Sequence, residues 1–450
     1  MRESTKGGVP MPSKNKSISS ICVKGYKSLS AEQSVEIRPL TILAGANSSG
    51  KSSIMQPLLL LKQTLDATSD PGALLLDGPN ISFTLAEQML SRIPGKPGSP
   101  RFSVGIQMNS LKLALTFSKK AQHGFDIEAM EYTEREKSYV IKYGMSEDEI
   151  LPILPDPYKS LKNGFIVPGE GKMRWVVRRE RCFLSFAITV PKAPSPEYTY
   201  GVFDVSPSHQ FVKAIRDTIH LPALRGNPAR TYKKVSTGPN FPGTFEAYAA
   251  SIVACWQLEK DPRLDKLGRA LEAMGLTWKV AARQVDDTQV ELKVGRLVHP
   301  LQGGAHDLVN IADVGFGVSQ SLPVIVALLC AQPGQLVYLE QPELHLHPKA
   351  QRRLAKILNG AVGRGVVVVV ETHSDLLLRE VQTLVAKGEL DKKSVILHWF
   401  TRDKDTGSTT VSSAELNEKG AYGAWPEDFD VTKLASVKEY LDAVEDQGKV

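Results

Sequence analysis

From Ser17 onward, short apolar stretches alternate with polar ones along the chain. SISSICVKGYKSL and SVEIRPLTIL read as strand-like segments, and a Gly/Ser loop leads from the second into an apolar helix, Ser53–Leu65. Between Arg101 and Val190 the alternating pieces RFSVGIQM, KLALTFS, WVVRR and FLSFAITV, separated by turn clusters, predict antiparallel sheet. Helical patterns follow in HQFVKAIRDTI, GTFEAYAASIVACWQLE and RLDKLGRALEAMG. From about Gly315, apolar strands QLVYLE and GVVVVVET alternate with helices at SQSLPVIVALLCA, PKAQRRLAKILNG and HSDLLLREVQTLVAKG, the mark of an α/β unit. Both ends of the chain are therefore expected to contribute to one sheet. Prolines recur between Pro152 and Pro262 and no apolar heptad persists, which excludes a long coiled coil between the two ends.

Composition narrows this picture without redirecting it. A chain of 450 residues, 42% hydrophobic and 23% charged, is an ordinary folded globular one with room for more than one domain-sized unit. The net charge of +6 permits nucleic-acid contact without arguing for it. Cys22, Cys182, Cys255 and Cys330 form no CxxC pair, so neither a zinc ribbon nor a disulfide framework is indicated, and a reducing cytoplasm fits best. The apolar stretch Leu322–Leu339 is broken by Gln332, Pro333, Gly334 and Gln335, so no membrane span is expected. Residues 1–17 are polar and read as a flexible tail without a signal peptide, with Met11 as an alternative start.

The chemistry lies mainly in four segments. Gly45-Ala-Asn47-Ser48-Ser-Gly50-Lys51-Ser52 satisfies G-x-x-x-x-G-K-[ST] between a strand and a helix. Its glycines let backbone N–H groups wrap phosphates, Lys51 reaches the β/γ-phosphates of ATP, and the Ser52 hydroxyl ligates Mg²⁺; Asn47, Ser48 and Ser53 complete the loop. LVYLE-Gln341-Pro-Glu343 is an apolar strand ending in carboxylates, and Glu340 is its metal candidate. The next strand ends in Glu371-Thr-His373, which puts His373 at the same sheet edge. Gly315-Phe-Gly317-Val-Ser319-Gln precedes a helix expected to begin at Ser321, so Gly317 and Ser319 form a second candidate anion site.

The ordered set GANSSGKSS, DVGFGVSQSLP, LVYLEQPELHLHP and ETHSD resembles the ABC-type ATPase heads of the SMC and overcoming-lysogenisation-defect group. HLPALRGNPARTY and the Gly423–Asp430 segment resemble a branch found among bacterial antiphage-defence ATPases of PARIS or Septu type. The resemblance implies an α/β fold: an ABC-type P-loop ATPase head with a mixed sheet and a compact α+β insert. The head would be divided into 18–100 and 301–400, with an insert at 101–300 and a hairpin and helix at 401–450. It also implies a homo-oligomer sandwiching ATP, with Gly317 and Ser319 contacting the nucleotide held by the other subunit's Lys51. Glu340 stands in the Walker B position, His373 in that of the switch histidine, His345–Pro348 in the D-loop region, and Lys24 and Lys27 beside the nucleotide. Gln88 is a candidate for the Q-loop glutamine. The function implied is an antiphage-defence ATPase controlling a separate nuclease-like effector; the alternative is a repair ATPase that clamps DNA.

The chain departs from that pattern at Gln341, where an acidic residue is usual. A neutral amide orients water but takes no proton, so either hydrolysis is slow or Glu343 substitutes. Only 77 residues follow His373, too few for a fused metal-dependent nuclease domain, and Asp403-Lys-Asp405-Thr-Gly407 reads as a hairpin turn. Basic residues gather at Lys172–Arg181 and at Arg225–Lys234; ion pairs or a solvated face is one reading, and contact with DNA, RNA or an acidic partner protein the other.

Overall fold

A computed structural model describes residues 17–95, 97–120, 124–135, 137–154, 158, 166–167, 171–172, 174–189, 204–299 and 306–423. The residues of the expected tail up to Lys16, Met11 among them, and the expected C-terminal helix and most of the Gly423–Asp430 segment lie outside these.

In chain order the main elements begin with β1 (Ser20–Lys24), β2 (Gln33–Glu36), β3 (Leu40–Gly45) and α1 (Lys51–Asp66). There follow β4 (Arg101–Met108), β5 (Leu111–Lys120), β6 (Gly124–Glu134), β7 (Lys137–Ile141), β8 (Arg174–Glu180) and β9 (Phe183–Thr189). Next come α2 (His209–Arg216), β10 (Ile219–Leu221), α3 (Glu246–Leu258), α4 (Pro262–Ala273), β11 (Val280–Gln284) and β12 (Gln289–Gly295). The last third holds α5 (Phe316–Cys330), β13 (Leu336–Glu340), α6 (Pro348–Val362), β14 (Val367–Glu371), α7 (Asp375–Ala386), β15 (Val395–Arg402) and β16 (Thr409–Ala414).

The central sheet runs β10-β13-β14-β3-β15-β16, parallel except for the last pair. β3 is inserted between two strands from the far end of the chain, so the two ends do share one sheet. Every residue of β3 and of β14 is buried, as a parallel strand covered on both faces requires. Alternation sorts their side chains: Leu40, Ile42, Val368 and Val370 join the cluster built with α3 to α7, whereas Leu43, Val367 and Val369 join the one built with α1. That second cluster also takes in the antiparallel sheet β2-β1-β4-β5-β6-β7, in which β1 pairs with β4, so strand pairing runs across residue 100.

The described residues thus form an α/β fold with a mixed central sheet, and α1, with 16 residues, is the longest of their helices. None of them is long and apolar enough to cross a membrane. The helix expected from Ser321 starts one turn earlier, at Phe316, because Gly317 is accommodated inside it: a Cβ there would lie 3.1 Å from Leu276 Cδ2.

Candidate functional site

β3 ends at Gly45 (φ 144°) and α1 begins after Gly50 (φ 97°), both in backbone regions that side-chain-bearing residues rarely adopt. Space forbids a side chain as well. A Cβ on Gly45 would fall 2.3 Å from the Phe400 carbonyl oxygen, and one on Gly50 2.7 Å from both Ser28 Oγ and Thr409 Oγ1. The loop is clamped from behind by β15 and β16: Arg402 Nη1 donates to the Ser48 carbonyl (3.2 Å) and Thr409 Oγ1 to that of Ser49 (2.7 Å).

A cleft of about 1000 Å³ opens over this loop. Lys27, Asn47, Ser48, Gly50, Lys51, Ser52, Ser53, Gln341 and His373 all line it, and so do Gln88 and Glu371. Lys51 Nζ donates to the carbonyls of Ala46 (2.8 Å) and Gly45 (3.2 Å); burial lowers its pKa, opposed by the charges of Glu371 and Glu343. Lys27 Nζ donates to Gln56 Oε1 (2.7 Å) and lies 4.6 Å from the Phe83 ring centroid, whereas Lys24 is exposed at the end of β1 and is not among the cleft residues. Gln88 Oε1 accepts from the N–H groups of Thr84 and Leu85 at the cleft wall. The pKa of His373 is lowered, first by partial burial and then by the charge of Lys51.

The carboxylates divide differently from the expectation. Ser52 Oγ donates to Glu371 Oε1 (3.1 Å), and the Tyr338 hydroxyl donates to Glu371 Oε2 (3.1 Å). Burial first, then the Glu340 charge, raises the pKa of Glu371; Ser52, Lys51 and Tyr338 pull it back. Glu340, expected to serve Mg²⁺ with Ser52, is instead engaged by His220 Nε2 (3.1 Å) and the Ala223 N–H (3.4 Å), and it does not line the cleft. β14 lies between β13 and β3, so Glu371 ends the strand beside the loop and Glu340 the strand beyond it, close enough for the Glu340 charge to act on Glu371.

Glu343 is buried beneath the cleft. Its Oε1 accepts from Thr372 Oγ1 (2.6 Å) and from the His373 N–H (2.9 Å), so this carboxylate fixes the loop carrying His373 rather than facing the cleft. Gln341 adopts φ 42° and donates its N–H to the Glu371 carbonyl (2.8 Å). Gly317 and Ser319 are not brought to this cleft. Ser319 sits in the first turn of α5, 8% exposed, donating to the Phe316 carbonyl (3.1 Å), while the exposed Phe316 ring packs 5.7 Å from that of His345. His347 caps α6 through the Lys349 N–H (3.4 Å).

Several members of the basic clusters are engaged within the chain, while Arg174, Lys233 and Lys234 are exposed. Arg179 forms a two-pronged pair with Asp70 (2.8 and 2.6 Å), Arg181 donates to the Thr64 carbonyl (2.9 Å), and Arg230 pairs with Asp313 (2.8 Å). Buried Arg225 donates to the Pro222 carbonyl (3.0 Å), with burial lowering its pKa; the Lys172 side chain lies outside the described residues. Asp403 Oδ1 accepts from the Thr406 N–H (2.7 Å), closing the 403–408 hairpin turn that forms one cleft wall. Sequence reasoning missed Glu371 and His220. Glu371 was marked by ending the buried run VVVVV immediately before Thr-His; His220, inside the apolar tripeptide IHL, carried no signal.

The donor set suits the group that the loop implies. Ser52 and Glu371 offer hard oxygens of the kind Mg²⁺ takes, and Lys51 with the N-terminus of α1 offers the positive field that a triphosphate needs. No group of three or more His, Cys, Asp and Glu side chains suited to another metal occurs among the described residues.

Residues 17–214 match a family model described as "AAA ATPase domain", and residues 260–379 match one described as "AAA domain, putative AbiEii toxin, Type IV TA system". Among curated proteins no sequence matches the chain. Similar solved structures include an SMC head bound to the C-winged helix domain of ScpA, at 11% identity, covering 89% of this chain and 98% of that one, TM-score 0.46. Two others are the SMC head domain from Thermotoga maritima (10%, 88% and 98%, 0.38) and an SMC head with an extended coiled coil derived from Pyrococcus furiosus (10%, 95% and 99%, 0.40). The first matched segment carries the phosphate loop and the second the strands ending in Glu340 and Glu371: the chain has a phosphate-loop cleft and over both segments is similar to AAA ATPase domains.

Proposed function

We propose that the chain is an ATP-binding, slowly hydrolysing ATPase subunit of a bacterial antiphage-defence system that controls a separate, nuclease-like effector. The observation that carries the ATPase reading is the convergence of Lys51, Ser52, Gln341, Glu371 and His373 on one cleft. The defence reading draws support from the description of the family matched over 260–379, which refers to a toxin of a toxin–antitoxin system.

In this reading the α1 N-terminus and Lys51 hold the β- and γ-phosphates, and Ser52 presents its oxygen to Mg²⁺, which neutralises the phosphate oxygens as charge develops. Gln341 orients the attacking water through its amide, while His373 faces the γ-phosphate end from the neighbouring strand. Glu343, whose Oε1 accepts from Thr372 and the His373 N–H, positions the loop that carries His373. With no carboxylate at position 341, turnover is slow and bound ATP chiefly sets the assembly state. The copies associate through their nucleotide sites, with Ser319 of one acting on ATP held by another. For the alternative, clamping on DNA, Arg179 and Arg230 are paired with Asp70 and Asp313, and the exposed Arg174, Lys233 and Lys234 are what would supply positive surface.

The test is Lys51→Ala. Calorimetry is expected to show loss of ATP binding, and cells carrying the chain with its neighbouring genes should lose resistance to phage. ATP affinity retained within about threefold overturns the reading.

A further inference from the structure

The Ser52 hydroxyl is the group through which a phosphate loop reaches its metal, so the acceptor of its proton decides where its free lone pairs point. That acceptor is Glu371 (3.1 Å). The other Glu371 oxygen is fixed by the Tyr338 hydroxyl (3.1 Å), so the carboxylate is held at both ends, 4% exposed, and lines the cleft beside Lys51 and Ser52.

Glu340 is its direct partner across the β13–β14 register, and its carboxylate is engaged on the side of β10. Its Oε1 meets His220 Nε2 (3.1 Å), and the imidazole is itself held at Nδ1 by Asn80 Nδ2 (3.0 Å). The same Asn80 amide donates to the Gly243 carbonyl (3.0 Å), which fixes Nδ2 as the atom facing the ring. Nδ1 must therefore accept, Nε2 carries the proton, and His220 donates to Glu340. His220 is 1% exposed and stacks on Tyr338 with ring centroids 5.5 Å apart, so the side chain that draws Glu340 aside is locked by packing as well.

We propose that Glu371 is the carboxylate that serves Mg²⁺ at Ser52, and that His220, oriented by Asn80, holds Glu340 out of the metal site. This rests on the nucleotide reading above and reassigns the acid within it. Glu371 accepts the Ser52 proton, turns the hydroxyl lone pair toward the cation, and supplies the nearest negative charge. Tyr338 keeps the carboxylate in that pose.

The test separates nucleotide from metal. ATP affinity is measured by calorimetry in EDTA and again in saturating Mg²⁺, and the ratio is the gain due to the metal. Glu371→Gln, the same size and neutral, is expected to keep the EDTA affinity within about threefold while losing at least tenfold of the gain; Glu340→Gln is expected to keep the gain within threefold. Tyr338→Phe, which preserves the buried ring, should raise the Mn²⁺ concentration that half-saturates the ATP complex, read by the loss of the free-ion paramagnetic signal. It keeps the proposal testable should Glu371→Gln fold poorly. Loss of the gain in Glu340→Gln, retention of it in Glu371→Gln, or an unchanged Mn²⁺ titration in Tyr338→Phe each overturns the assignment. A wild type that binds ATP in EDTA but gains nothing from Mg²⁺ also overturns it while leaving the nucleotide site standing.

Discussion

Gln341 concentrates two unusual properties in one residue. It lines the cleft where a water would attack the γ-phosphate, and it holds a left-handed φ of 42°, a conformation that costs a side-chain-bearing residue ~1 kcal/mol or more. The Glu371 carbonyl, accepting from its N–H, helps to hold that turn. Because the position is built and only the carboxylate is missing, Gln341→Glu is expected to raise turnover by about tenfold or more, part of the ~10²–10⁴-fold that a positioned base contributes. Steady-state phosphate release decides this, and an unchanged rate would mean that proton removal does not limit hydrolysis. Glu343→Gln bears on the same point: it should act through the His373 loop, whose N–H it binds, and leave the Gln341→Glu gain in place. At this scale the sequence was legible where a motif fixes a spacing, as in Gly45–Ser52. It was not legible for the proposed choice of Glu371 over Glu340, which rests on contacts with Ser52 and with the buried His220 and Asn80, far apart in the chain.

The β15–β16 hairpin forms the back wall of the phosphate loop, and one buried imidazole ties it to β2. His398 is 0% exposed; its Nε2 bonds the Glu36 carbonyl (2.8 Å), so that nitrogen carries the proton, and its Nδ1 accepts from Ser413 Oγ (2.8 Å). Burial lowers its pKa below the ordinary ~6.5, with the Glu36 carbonyl opposing. The unfolded chain therefore binds the proton first, and stability present above pH ~6.5 falls as pH drops below it, by at most about 1.4 kcal/mol per unit until the folded value is reached. The melting temperature should drop between pH 7 and 5 with a shallower slope in His398→Gln; equal slopes would assign the acid sensitivity elsewhere. Element types were readable from periodicity over much of the chain, and α6, α7, β13 and β14 lie within a few residues of their expected bounds. The start of α5 was not readable, because GFGVSQ has the composition of a turn. It is nevertheless helix, with Gly317 where a side chain would crowd Leu276.

For the whole molecule, the proposed sandwich places the α5 start of one copy on the cleft of another. Phe316 stands half exposed there while Ser319 is covered, so Phe316→Glu alters the surface without loading the interior. It is expected to leave ATP affinity unchanged and to abolish ATP-dependent association in sedimentation; Ser319→Arg should do the same at a cost in stability. An unchanged oligomer in both would mean that the α5 start lies outside any contact between copies. The shared sheet was foreseeable from strands at both ends of the chain, but the crossing of residue 100 by the β1–β4 pairing was not, since adjacency of strands is a property of the whole fold. That sheet order also sets a timetable. Among the described residues the strands that pair with β3 are β14 and β15, more than three hundred residues downstream, so a growing chain finishes its phosphate loop long before either neighbour exists. At ~5–20 residues per second the ribosome needs roughly 20–70 s to bridge that interval, during which the apolar segment LTILAG has no strand to pair with. Nucleotide capture thus belongs to the end of synthesis, and a chain that stops before Val367 carries the whole phosphate-loop sequence without the sheet that shapes it.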